Sequence, residues 1–108
     1  MAISAKNTAA YAAVDVLSHR RGAEVLAALA SGTMRFGELK DAIPGIGQKT
    51  LTAALRALES EKLLTRKVYA VIPPKVEYTL TQAGSELVDI LWALRRWQEK
   101  YCPAEGKE

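Results

Sequence analysis

The sequence predicts a mainly α-helical domain carrying one small β-hairpin. Three observations lead there: apolar residues recur at helical spacing through most of the chain, the period changes to two after Leu64, and Pro73-Pro74 then divides the alternating stretch. With 108 residues, 49% of them hydrophobic and 25% charged, the chain has the length and balance for a single packed core.

A first helix is expected from about Thr8 to Leu17, where Tyr11, Val14 and Leu17 follow at three-residue spacing. A second runs from Gly22 to Ser31, with Val25, Leu26 and Leu29 together, and Gly32 stops it. Phe36 to Ala42 makes a short helix that sets Phe36, Leu39 and Ile43 at helical intervals before Pro44 and the Gly45-Ile46-Gly47 turn. A longer amphipathic helix begins near Gln48. In it Leu51, Leu55 and Leu58 share a face with Ala54, while Gln48, Lys49, Thr52, Arg56 and Glu59 project from the other. Beyond Leu64, Val68, Ala70 and Ile72 alternate with Lys67, Tyr69 and Val71; after the prolines, Val76, Tyr78 and Leu80 alternate with Lys75, Glu77 and Thr79. That is a two-stranded hairpin with one face on the core, and Tyr69 and Tyr78 read as hairpin core or cross-strand pairs.

Thr81 can cap a final helix to about Tyr101, whose roughly 20 residues would span about 30 Å. Its apolar positions, Leu87, Val88, Ile90, Leu91, Trp92, Leu94 and Trp97, form a belt wider than one small core can cover, so a second chain is the expected cover. The order of helix, short helix, glycine turn, amphipathic helix and hairpin is that of a winged helix-turn-helix, in which the second helix of the motif enters the DNA major groove.

Charge placement sharpens this reading. The net charge is +3 and the pI about 9.1. Between Gln48 and Lys75, six positive residues (Lys49, Arg56, Lys62, Arg66, Lys67, Lys75) stand against Glu59 and Glu61, giving +4 there and −1 for the rest. A basic segment on a near-neutral remainder fits a face that grips a polyanion, and equally an ordinary solvated surface. Other classes fall away. The longest uncharged run is the ten residues Val25 to Met34, short of the roughly 20 apolar residues of a membrane helix. Lys6 and Asp15 interrupt the start, which does not read as a secretory signal, so the cytoplasm is the expected location. One cysteine, Cys102, and one histidine, His19, assemble neither a disulfide nor a zinc site, and no cofactor is expected. His19 has no triad to join, and Gly45-Ile46-Gly47-Gln48-Lys49-Thr50 lacks the spacing and preceding strand of a phosphate-binding loop, so the chain is not read as an enzyme.

The stretch from Arg35 to Gly84, RFGELKDAIPGIGQKTLTAALRALESEKLLTRKVYAVIPPKVEYTLTQAG, resembles the HxlR-type winged-helix transcription regulators, relatives of the MarR type. The resemblance rests on Arg35-Phe36 with Glu38-Leu39, the Gly45-Ile46 turn, Leu51-Thr52, Leu58-Glu59, and above all Pro73-Pro74 followed by Val76-Glu77-Tyr78 and Leu80-Thr81. It implies a bacterial or archaeal homodimer that binds double-stranded DNA, with a recognition helix at Gln48 to Glu61 and a wing at Ile72 to Lys75. Two departures stand out. The family commonly has an early cysteine, whereas this chain has Ser18-His19-Arg20-Arg21-Gly22 and none, so thiol sensing of that kind is not expected. Gly47 stands where the family usually offers a serine or threonine N-cap.

The chemistry of the residues agrees. Gln48 can pair with adenine, Lys49 can reach guanine or phosphate, and Thr52, with Ala53 beside it, offers apolar contact to a thymine methyl. Arg56, a turn further on, suits phosphate, as does the amide of Thr50 near the helix start. Arg35, Arg66, Lys67 and Lys75 add positive charge along the DNA backbone or minor groove. The expected organisation is one domain over 1–108: an N-terminal dimerisation helix to residue 18, a DNA-binding core over 19–80, a C-terminal dimerisation helix over 81–102 and a short tail. Tyr11, Val14 and Leu17 would pack with Leu87, Ile90, Leu91, Leu94, Trp97 and Tyr101 of both chains. The expected function is a dimeric repressor on a pseudo-palindromic operator, against an alternative of a winged-helix protein-interaction module or anti-regulator. A cleft between the terminal helices could take a small hydrophobic effector, although no residue specifies one.

Overall fold

The computed structural model describes residues 20–102. The expected helix of Thr8 to Leu17, with Tyr11, Val14 and Leu17, lies outside them, as do His19 and the tail.

Helix α1, Arg20–Leu29, buries Val25, Leu26 and Leu29, while Arg21 and Glu24 pair at i,i+3 on its outer side. It ends two residues before the expected Ser31. The Gly32 amide bonds to the Leu29 carbonyl at 3.0 Å, and Gly32 itself takes φ 135. Strand β1, Met34–Arg35, follows, a third strand where the sequence indicated only a hairpin; two residues are too few to carry a readable period. Helix α2, Phe36–Ala42, starts where the Glu38 carboxylate accepts the Arg35 amide at 2.8 Å, and buries Leu39. The turn to the next helix runs through Gly45, whose φ of 76 suits glycine, and tucks Ile46 into the core.

Helix α3, Gln48–Ser60, buries Leu51, Leu55 and Leu58 and stops one residue short of the expected Glu61. Its end is a Schellman turn: the Leu63 amide reaches the Leu58 carbonyl and the Lys62 amide the Glu59 carbonyl, both at 2.9 Å. Lys62 takes the left-handed conformation there, φ 63, with no glycine to mark it.

Strands β2, Leu64–Tyr69, and β3, Lys75–Leu80, complete an antiparallel sheet of order β1-β3-β2. Arg66 faces Tyr78, Lys67 faces Glu77 and Tyr69 faces Lys75; on β1, Arg35 stands opposite Glu77. Leu64, Tyr78, Val76, Leu80 and Met34 join the core. The alternation expected through Val68 and Ile72 does not stay on it. The strand ends at Tyr69, and Val68, half exposed, and Ile72, 99% exposed, both lie outside the buried core. The Ile72–Pro73 peptide at that tip is cis.

Helix α4, Gln82–Tyr101, begins as expected at Thr81, whose hydroxyl accepts the Gly84 amide at 3.1 Å and donates to the Lys62 carbonyl at 2.7 Å. Gly84 and Val88 are buried, and Leu87 and Leu91 pack partly on the core. Among the described residues, no helix is long and apolar enough to cross a membrane.

Candidate nucleic-acid interface

The leucine stripe of α3 decides which side chains point outward. With Leu51, Leu55 and Leu58 locked in the core, the 100° step per residue turns Lys49, Ala53 and Arg56 to solvent and sets Gln48 and Thr52 on the flank toward the sheet. Gln48, Lys49, Thr52, Ala53 and Arg56 line one shallow depression. Gly47 caps the helix without a side chain, leaving the first amides of α3 to other acceptors. Thr50 is exposed on the opposite flank and does not line the depression.

The hairpin cations do not act as one group. Side chains on a strand alternate between faces, so Arg66, paired with Tyr78, belongs to the core side of the sheet, whereas Lys67 and Lys75 belong to the outer side. Arg66, Lys67 and Lys75, expected to act together on the DNA backbone, are separated by the pleat into Arg66 on one face and the two lysines on the other. Arg66 instead meets α3 across a cavity of about 370 Å³ lined by Phe36, Thr52, Leu55, Arg56, Glu59 and Tyr78.

On the outer face, Lys67 and Lys75 hold their ammonium groups 4.9 and 4.6 Å from the centre of the Tyr69 ring. The Tyr69 hydroxyl donates to Glu77 at 2.9 Å, and Lys75 lies 3.5 Å from the other Glu77 oxygen. The Tyr69 hydrogen bond holds the Glu77 carboxyl below the ordinary glutamate value; Lys75 and Arg35 add to it, and partial burial opposes it. Arg35, opposite Glu77, therefore stands with these lysines and apart from the α3 depression. Tyr69 and Glu77 were missed as supports for the basic residues. Their signal was available in the register, which places Lys67 opposite Glu77 and Tyr69 opposite Lys75.

The far half of α4 carries the apolar surface. Ile90, Trp92, Leu94, Trp97 and Tyr101 are each at least half exposed, and the Trp97 and Tyr101 rings lie 5.7 Å apart. Leu87 and Leu91, expected on the dimer face, pack against the chain's own core instead. Cys102 is exposed at the helix end. A groove between α1 and α4 is lined by Ala23, Glu24, Ala27, Val88, Leu91, Trp92 and Arg95.

Known proteins share this arrangement. The model of the HxlR-like helix-turn-helix family matches residues 16–106. A helix-turn-helix transcriptional regulator of Methanothermobacter thermautotrophicus is 43% identical over 89 residues, 82% of this chain and 68% of that protein. The regulator YkvN of Bacillus subtilis is 45% identical over 84 residues, 78% of this chain and 71% of its own. Among solved structures, a MarR-family transcriptional regulator from Enterococcus faecalis superposes with a TM-score of 0.82 at 36% identity, covering 94% of this chain and 92% of that one. The reduced form of the regulator YodB from Bacillus subtilis gives 0.79 at 30% identity, covering 96% of this chain and all of that one.

Proposed function

This chain belongs to the HxlR-like helix-turn-helix family of transcriptional regulators, a family of regulators and not of enzymes, and on that premise we propose that it is a homodimeric, sequence-specific DNA-binding repressor. It reads a pseudo-palindromic operator with the recognition helix of residues 48–61 and steadies itself with the wing of residues 72–75. The observation that carries this reading is the division of α3: one side is fixed by three buried leucines, and the other presents Gln48, Lys49, Thr52, Ala53 and Arg56 in a single open depression.

In the major groove, Gln48 offers an amide for adenine, Lys49 a cation for guanine or phosphate, and Thr52 with Ala53 methyl groups for thymine. The Thr50 amide and the Arg56 guanidinium take phosphates. Lys67 and Lys75, held on Tyr69, supply positive charge that positions the protein without reading sequence, with Arg35 beside them. Two subunits meet through residues 1–18 and the apolar face of the 81–102 helix, which sets the recognition helices about one turn of duplex apart. Repression follows from occupying the site.

Binding to duplex DNA measured across salt concentrations tests this. A DNA-reading protein loses affinity with a log-log slope of about −0.9 for each neutralised phosphate. A winged helix used only for protein interaction shows no salt-dependent DNA affinity, and that outcome would replace the proposal.

A further inference from the structure

Arg56 has two neighbourhoods. It closes the outward depression of α3, and it also lines the cavity between α3 and the sheet, which Arg66 enters from the other wall. The helix period explains one side, because Thr52, Leu55, Arg56 and Glu59 are spaced i, i+3, i+4 and i+7; the pleat explains the other, because Arg66 shares a sheet face with Tyr78. Both arginines are exposed, and neither forms an ion pair among the described residues, although Glu59 lines the same cavity. Two arginines and one glutamate therefore line the cavity, a net positive set of side chains.

The place of this cavity identifies its ligand. With α3 in a major groove and the hairpin tip over the neighbouring minor groove, the element between the two grooves is a single sugar–phosphate strand, and it must pass across the gap between helix and sheet. We propose that this cavity is a phosphate seat, in which Arg56 and Arg66 together grip one phosphodiester of that strand. Two planar guanidinium forks approaching from opposite walls match the two free oxygens of a phosphodiester, and arginine favours such paired contacts. The seat rests on the DNA-binding reading above. It adds that a residue of the recognition helix and a residue of the sheet act on the same phosphate, locking the angle between the two reading elements.

The test uses the full-length protein and a duplex of about two helical turns carrying its selected site. Fluorescence anisotropy gives the affinity from about 0.05 to 0.2 M salt for wild type, Arg56→Gln, Arg66→Gln and the double variant, with melting temperatures checking that each folds. If one phosphate is shared, each single change weakens binding about tenfold and the double change little further. The salt slope of the double variant then falls by about 0.9 per subunit. A double effect equal to the product of the singles, with a slope loss of about 1.8 per subunit, assigns the arginines to separate phosphates and overturns the seat. So do variants that bind as wild type does.

A second arm neutralises the phosphates one at a time as methylphosphonates. One position per half-site should weaken wild type as the double variant is weakened, and should leave the double variant unaffected; the absence of any such position overturns the proposal. At that position Glu59→Gln should lose the gain in affinity it shows on unmodified DNA, and a variant that binds both duplexes alike separates the cavity from the phosphate. Wild-type protein without salt-dependent affinity for any duplex refutes the DNA-binding reading, and takes the seat down with it. Wild-type binding with indifferent variants refutes the seat alone.

Discussion

Replacing Gly84 by alanine places a methyl group where the fold has no space for one. A Cβ there would lie 2.0 Å from the Leu63 carbonyl oxygen, 3.0 Å from its carbon and 3.2 Å from Leu80 Cδ2. Ordinary contacts between carbon atoms are about 3.5–4.0 Å, so α4 has to withdraw by more than about 1 Å. The same carbonyl accepts the Thr81 amide at 3.1 Å, and the Thr81 hydroxyl donates to the Lys62 carbonyl at 2.7 Å, so withdrawal strains both bonds. Overpacking costs about 1–3 kcal/mol, and each lost hydrogen bond about 0.5–1.5 kcal/mol. The better helix propensity of alanine offsets at most about 1 kcal/mol of this. A net loss of about 2 kcal/mol lowers Tm by about 8–16 °C in a domain of this size. Thermal melting followed by circular dichroism, at one protein concentration for both proteins, measures it. If the Gly84→Ala variant melts at or above the wild-type temperature, the close approach of α4 to Leu63 is not what fixes that helix, and the reasoning fails.

Three further outcomes are expected. Leu94 is half exposed on the apolar face of α4 and lies outside the buried core, so Leu94→Glu should leave the fold intact, yield monomers by light scattering, and weaken operator binding by at least about a hundredfold; an intact dimer contradicts the proposed interface. Lys62→Gly should raise stability by about 0.5–1 kcal/mol in denaturant melts, since glycine carries no penalty at φ 63, and a loss of stability would contradict the strain assigned there. Glu77, whose carboxyl is held below its ordinary value, contributes stability that is present above the ordinary glutamate range and lost as pH falls through the lowered value. Wild type and Glu77→Gln should therefore converge in Tm as the solution is acidified at low salt, and curves that stay parallel would contradict a stabilising role for the Glu77 contacts with Tyr69 and Lys75.

Much of this architecture was readable from periodicity because the core is built from few, regularly spaced aliphatic side chains. Leu51, Leu55 and Leu58 define α3 almost alone, and Thr81 with the apolar run after it defines α4 to Tyr101. What escaped has physical reasons. Strand β1 has two residues and owes its conformation to pairing with Tyr78 and Glu77, contacts made more than 40 positions away. The left-handed turn at Lys62 lacks the glycine that ordinarily announces it, and is imposed by the Leu58 and Glu59 carbonyls. The division of Arg66 from Lys67 needed only the two-residue period, but their neighbourhood in sequence suggested a shared role. Their surroundings, the cavity lined by Arg56 for one and the Tyr69 ring with its hydrogen bond to Glu77 for the other, depend on the sheet register and on which side of it the helix lies.

Selection of bound sequences from random duplex DNA, carried out in parallel with wild type and Gln48→Ala, reaches the central claim most directly. Wild type should enrich an inverted repeat with half-sites about 10 base pairs apart, and Gln48→Ala should lose its preference at one base pair in each half-site at a cost of about 1–3 kcal/mol while keeping the rest. No enriched motif, or the same motif with undiminished preference from both proteins, would mean that the outward side of α3 does not read DNA.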